Sequence, residues 1–155
     1  MDSIALTRTS RIPASVRLVR ALLAVVAASH LVIPIVMWAQ EGVLRDQIAS
    51  QHPEFGSAEV SRSADIAVIS GAAFHGVLLV LCLFLAWKLV TGRPWTRRLT
   101  TISQVLSVVF SVFSWSSSPM FHAVIPIIGA LQVLMIALLW LPRPARDFFR
   151  PATSP

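Results

Sequence analysis

Hydrophobic residues fall in four long runs along the chain, separated by shorter polar segments, at residues 18–39, 66–89, 99–115 and 121–141. Each run is close to the about 20 apolar residues that an α-helix needs to cross the hydrocarbon core of a membrane. None of them alternates apolar and polar residues as the strands of a membrane barrel do, so helices are the predicted structure. The pattern predicts an all-α membrane protein built as an antiparallel bundle of four transmembrane helices.

The composition agrees with a protein that has lipid as its solvent. Of the 155 residues, 55% are hydrophobic and 13% are charged, and the mean hydropathy is +0.74. Ordinary soluble domains contain about 25% charged residues. We therefore expect one membrane domain over residues 1–155. The first run continues well past a possible signal-peptide cleavage site at Ser29, so we interpret it as an anchor.

Charged residues between the runs predict the orientation. Arginine dominates residues 1–17, the turn near 88–98 and the tail at 142–155, whereas segment 40–63 carries four acidic residues and two arginines. Because loops rich in positive charge stay in the cytoplasm, both tails are predicted inside and 40–63 is the predicted outer loop. The expected location is the bacterial inner membrane, crossed several times. The net charge of +6 then comes from arginines in the loops and tails that face the cytoplasm. It does not indicate a nucleic-acid partner, and none is expected.

The outer loop contains one short periodic stretch. Val43, Leu44 and Ile48 recur at helical spacing, which predicts an amphipathic helix on the outer membrane surface, ended before Pro53. Beyond Gly56 the chain again suits a helix, so the second long helix is expected to protrude from the bilayer.

The hexamers HLVIPI and HAVIPI, at residues 30–35 and 122–127, place a proline four residues after a histidine in two predicted helices. A proline inside a helix removes the hydrogen bond to the carbonyl four residues earlier. Pro34 and Pro126 are therefore predicted to kink their helices and to free the carbonyls of His30 and His122. Since the two helices run in opposite directions, we do not interpret the match as a tandem duplication.

His30 and His75 lie at similar predicted depths below the outer ends of the first and second helices, so the two side chains are expected to face one another. Three interpretations stay open. The histidines form an interhelical hydrogen bond, bind haem b as two axial ligands, or line a proton or substrate pathway in a small transporter.

Small and amide side chains within the runs predict helix packing. The serines of the third run recur every four residues, and Gln104 and Gln132 lie at similar depths, so a hydrogen bond between the two amides is expected. A polar pore lining is the alternative interpretation. The predicted packing positions are Gly71, Gly76, Ser103, Gln104, Ser107, Ser111, Gly129 and Gln132.

The sequence contains no glycine-rich phosphate loop, no HExxH motif and no GxSxG motif. Cys82 is the only cysteine, which excludes an intrachain disulfide and a thiolate metal cluster. We therefore predict a protein without enzymatic activity, catalytic residues, metal ligands or, apart from the haem alternative, a cofactor. The expected function is that of an accessory or assembly subunit, whose partners are the lipid bilayer and either other membrane proteins or a second copy of itself.

Two segments carry a resemblance. GRPWTRRLT at residues 92–100 and LLWLPRPARDFF at residues 138–149 are similar to segments of small four-helix integral membrane proteins of actinobacteria. In these proteins a Gly-Arg-x-Trp-x-Arg turn precedes the third span, and a tail with proline and phenylalanine follows the fourth. The resemblance covers about the second half of the chain. It implies the four-helix membrane fold and no particular biochemical activity.

Overall fold

The computed structural model describes residues 11–117 and 121–150, apart from the side chains at 116 and 117. Within these residues the structure is all-helical and has no strand, which confirms the predicted all-α class. Residues 1–10 and 151–155 of the expected tails, and residues 118–120 between the third and fourth predicted helices, lie outside the described residues.

Six α-helices and one 3-10 turn follow one another along the described chain. Their bounds are α1 Ala14–Ala39, α2 Glu41–Gln51, α3 Ser57–Lys88, a 3-10 turn Leu89–Thr91, α4 Pro94–Ser117, α5 Val124–Trp140 and α6 Arg143–Phe148.

Two segments of the described chain, Ala14–Ala39 and Ser57–Thr91, have the length and the apolar composition needed to cross a membrane. The third apolar helix, Val124–Trp140, contains no charged residue but has only 17 residues. Helix α4 has 24 residues and carries hydroxyl and amide side chains along its length, so it is less apolar than α1 and α3.

Most of α1, the whole of α2 and most of α3 form one compact unit, Leu23–Phe84, called here the central unit. Within it α1 and α3 run antiparallel, since His30 contacts His75 while Met37, further along α1, contacts the earlier Gly71 of α3. The core of this unit consists of aliphatic side chains, one thiol and one imidazole. These buried residues are Leu23, Val26, Ala27, His30, Leu44, Ala64 and Cys82.

The expected outer loop is largely helical. Helix α2 covers the predicted amphipathic stretch and ends at Gln51, before Pro53, with Leu44 buried. Helix α3 then begins at Ser57, where Glu59 accepts a hydrogen bond from the backbone N–H of Gly56 at 2.9 Å. This bond satisfies a donor that the helix itself leaves free, so it fixes the start of α3 well before the apolar run.

The remaining described residues, 11–22, 85–117 and 121–150, belong to a second compact unit, called here the terminal unit. Its centre is the antiparallel pair α4 and α5, which is joined near one end by Trp140 donating to the Thr101 hydroxyl at 2.8 Å. The start of α1 is attached by Arg20, whose Nε donates to the Ala86 carbonyl at 2.9 Å.

The turn between α3 and α4 depends on Gly92, which has a φ of +63°. Such a left-handed residue after a helix is usually glycine, because a Cβ is strained there. A Cβ at Gly92 would also meet the backbone oxygen of Phe148 at 2.9 Å. This close approach brings α6 against the turn, with Ala145 and Phe149 buried. Part of the segment expected to be a plain tail is therefore folded onto the terminal unit.

The two prolines differ in a way that the matching hexamers do not predict. Helix α1 continues through Pro34 to Ala39, so Pro34 lies in a helix interior and removes the bond to the His30 carbonyl. Helix α5 begins at Val124, which places Pro126 third in the helix. The N–H groups of the first turn have no intrahelical partner, so Pro126 removes no bond and requires no kink. The prediction for Pro126 is thus corrected by the position of the helix start.

Candidate functional site

The structure brings His30 and His75 together in the central unit. Their Nδ1 atoms are 2.9 Å apart, and the ring centroids are separated by 5.2 Å with the planes inclined at 37°. His30 is 7% exposed and His75 is half-buried, with Phe74 packed edge-on against the His75 ring. The pair is a direct hydrogen bond between α1 and α3, and depth counting along the two helices had indicated this contact.

One imidazole of the pair donates its Nδ1–H, and the other accepts with an unprotonated Nδ1. The contact survives when at most one ring is charged, since two protonated rings would point two donors at each other. Haem does not fit this arrangement. An iron ligated by both rings lies between them with its macrocycle, and one metal–imidazole bond alone is about 2 Å long. Nitrogens 2.9 Å apart leave no space for that group.

Gln104 and Gln132 are both buried in the terminal unit, each 1% exposed. The Gln104 Nε2 donates to the Ser103 hydroxyl at 3.2 Å, but the Oε1 atoms of both glutamines have no hydrogen-bond partner among the described residues. A bond between two amides needs one Oε1 as its acceptor. The predicted glutamine-to-glutamine hydrogen bond is therefore absent, and two buried carbonyl groups are left unpaired.

The hydroxyl groups of α4 bond within their own helix. Thr100 donates to the Thr96 carbonyl at 2.8 Å, Ser103 to the Thr100 carbonyl at 2.8 Å and Ser111 to the Ser107 carbonyl at 2.8 Å. Hydroxyls satisfied in this way need no partner on another helix. Their contribution to packing is their small size, and Ser103 is buried while Ser107 and Ser111 are half-buried.

The three predicted packing glycines behave differently. A Cβ at Gly71 would lie 3.3 Å from the Met37 sulfur and terminal methyl, so Gly71 allows α1 and α3 to approach closely. At Gly76 and Gly129, a Cβ would meet no heavy atom of the described chain within 4 Å beyond the glycine's own neighbours and helix backbone. A Cβ would therefore fit at both positions, although both glycines are half-buried.

His122 has a role that the sequence pattern did not indicate. Its Nε2 lies 2.6 Å from the Trp115 carbonyl, to which it donates, and its ring stacks on the Trp115 ring with centroids 4.2 Å apart. The side chain joins the end of α4 to the residues just before α5. The sequence does show a histidine and a tryptophan flanking a short uncharged turn, but this pattern alone does not specify a contact.

A second feature missed from the sequence lies at the start of α4. The Arg97 guanidinium lies over the Trp140 ring, 3.5 Å from its centroid, and the Arg97 Nε is buried without a hydrogen-bond partner among the described residues. Burial, together with the positive charges of Arg146 and Arg98, lowers the pKa of Arg97 from its ordinary value. The sequence pattern does not predict this contact, because the two residues are 43 positions apart in the chain.

Comparison of the chain with models of protein families, with curated proteins and with solved structures finds no match.

Proposed function

We propose that the protein is a non-enzymatic, multi-pass membrane protein of the bacterial inner membrane that acts as an accessory or assembly subunit. It packs through open helix faces against other membrane proteins or against a second copy of itself. The observation that carries the proposal is the pair of glycines, Gly76 and Gly129, at which an added Cβ would meet open space in the described chain.

Gly76 is an interior residue of α3, a helix apolar enough to cross a membrane. A glycine in a helix interior costs about 0.5–1 kcal/mol relative to alanine, and Gly76 gains no intrachain contact in return. The residue one turn earlier, Ala72, is exposed, and Gly76 itself is half-buried. Two small residues four positions apart on one helix face are the usual signature of close packing by another membrane helix.

The second open face lies on α5. Gly129 has free space above its Cα, and its neighbours Pro126 and Ala130 are exposed. Together these residues form a shallow apolar surface on a helix without charge. Lipid can cover such a face, but a helix fits it more closely, since the absence of side chains permits backbone approach.

The proposal also includes four membrane spans, with both ends of the chain in the cytoplasm. Helices α1 and α3 have the length and apolar character of spans. Helices α4 and α5 form an antiparallel pair that we include as the other two spans, and the distribution of arginine supports an orientation with both tails inside. The resemblance to four-helix membrane proteins of actinobacteria is consistent with this arrangement.

The test uses Gly76→Leu. The new side chain fills open space, so we expect thermal stability in detergent to hold or to rise, while association in the membrane falls. Association is measured as energy transfer between labelled copies in lipid vesicles, and as co-purification of native partners from the membrane.

Gly71→Leu is the matched control, because Gly71 lies on the same helix but a Cβ there would lie 3.3 Å from Met37. This variant is expected to lose thermal stability. Unchanged self-association and unchanged co-purification in Gly76→Leu would contradict the proposal.

The alternative function, a bis-histidine haem carrier or a small transporter, would use His30 and His75. The direct hydrogen bond between the two rings argues against haem, and the apolar spans lack the buried carboxylate that ion-coupled transport commonly uses. Protein purified from haem-supplemented cells should therefore show no Soret absorption. A Soret band that disappears in both His30→Ala and His75→Ala would replace our proposal with the haem carrier.

A further inference from the structure

The charged residues of the terminal unit are gathered at one end. Its described residues include ten lysines and arginines and a single acidic residue, Asp147. None of these charges lies within the stretches 99–117 and 121–142, which contain no charged residue. The contact of Gly92 with Phe148 holds α6 against the start of α4, so the arginines of both helices belong to the same end.

Little within the described chain neutralises this charge. Asp147 lies 3.4 Å from Arg150, and no other carboxylate of the terminal unit is described. Arg97, Arg98 and Arg146 have no ion pair among the described residues, and the latter two are the charges that act on Arg97. Gathering like charges is unfavourable unless an anion lies between them.

Arg97 is already oriented for such an anion. Its guanidinium rests on the Trp140 ring at 3.5 Å, and the ring is fixed by its own hydrogen bond to Thr101 at 2.8 Å. A guanidinium held in one plane presents its N–H groups as a rigid fork that matches the oxygens of a phosphate.

We propose that Arg97, Arg98 and Arg146 form a binding site for the phosphate of an anionic phospholipid headgroup. The apolar surface beside the arginines favours a lipid over free phosphate as the ligand. Trp140 is 41% exposed and Leu141 is 74% exposed, so an apolar surface suited to the glycerol and acyl part of a lipid begins where the charges end. Basic pockets at the cytoplasmic ends of membrane helices bind phospholipid headgroups in this way.

The experiment uses the full chain purified in a neutral detergent. Binding of phosphatidylglycerol, phosphatidylcholine and inorganic phosphate is titrated separately by native mass spectrometry and by thermal melting. We expect phosphatidylglycerol to bind and to raise the melting temperature, and the other two to do neither at the same concentration. Each of Arg97→Gln and Arg146→Gln should weaken phosphatidylglycerol binding about fivefold, and the double variant about 25-fold.

Arg62→Gln is the matched control, since it removes an exposed arginine of the central unit. Equal losses in the control and in Arg97→Gln would overturn the site, because total charge alone would then govern binding. Equal binding of phosphatidylcholine would also overturn it. Inorganic phosphate that binds as tightly and displaces the lipid would assign the site to a soluble anion instead. Removing one of several like charges is not expected to unfold the chain, and the melting curve without lipid checks this.

The inference rests on the membrane location proposed above, and the two can fail separately. Extraction of the protein from membranes by alkaline carbonate would refute the membrane location. A protein that stays in the membrane fraction but shows no preference for phosphatidylglycerol would refute the lipid site alone.

Discussion

At the residue scale, the most informative side chains are the two buried glutamines. Each has a carbonyl oxygen without a hydrogen-bond partner among the described residues, although each is only 1% exposed. A buried polar group left unpaired costs about 1–3 kcal/mol, whereas replacing it with an apolar group of similar shape can stabilise the fold. Gln104 differs from Gln132 in one respect, because its Nε2 bonds to Ser103.

We therefore expect Gln132→Leu to raise the free energy of unfolding by about 1 kcal/mol. Gln104→Leu should give a smaller gain, since it also removes the bond to Ser103. Because no bond joins the two amides, the effects should add in the double variant. Thermal and denaturant unfolding in detergent measure all three. A loss of stability in Gln132→Leu would show that its carbonyl has a partner, such as water, that contributes to the fold.

At the element scale, the two proline-containing helices show that the effect of a proline depends on its position within the helix. Pro34 lies in the interior of α1, and Pro126 lies in the first turn of α5. An interior proline leaves a carbonyl without its usual donor, whereas a proline in the first turn replaces an N–H that has no intrahelical partner.

Pro34→Ala should restore the bond from residue 34 to the His30 carbonyl and raise the melting temperature in detergent. Pro126→Ala serves as its control and should leave the melting temperature nearly unchanged. Equal increases in the two variants would mean that α5 begins earlier than Val124. A decrease in Pro34→Ala would mean that the shape of α1 at Pro34 is required for its packing against α3.

At the scale of the whole molecule, the charge distribution predicts the orientation in the membrane. The terminal unit has its charges at one end, while α2 and the start of α3 carry most of the acidic residues. If arginine-rich segments stay in the cytoplasm, the chain has α2 outside and the turn before α4 inside.

Single cysteines at Ser50 and Arg93, introduced in a Cys82→Ala background, report this orientation. Both positions are exposed. A membrane-impermeant thiol reagent added to intact cells should label the cysteine at position 50 and spare the one at position 93, which becomes reactive after lysis. Labelling at 93 alone would reverse the proposed orientation.

The sequence by itself determined the helical class, the short helix between the first two apolar runs and the contact of His30 with His75. All three follow from the spacing of residues along the sequence. Apolar runs of bilayer length require helices, because only these satisfy their own backbone groups, and equal counts from two helix ends give equal depths.

Only the tertiary structure decided which polar groups meet. Whether Gln104 and Gln132 form a hydrogen bond depends on the rotation of α4 and α5 about their axes. The depth of a residue along its helix gives no information about that rotation. The start of α5 decided that Pro126 breaks no hydrogen bond. The stacking of Arg97 on Trp140 and the packing of Phe148 on Gly92 join residues more than 40 positions apart. Such contacts depend on how helices pack against each other, and local sequence patterns do not specify that packing.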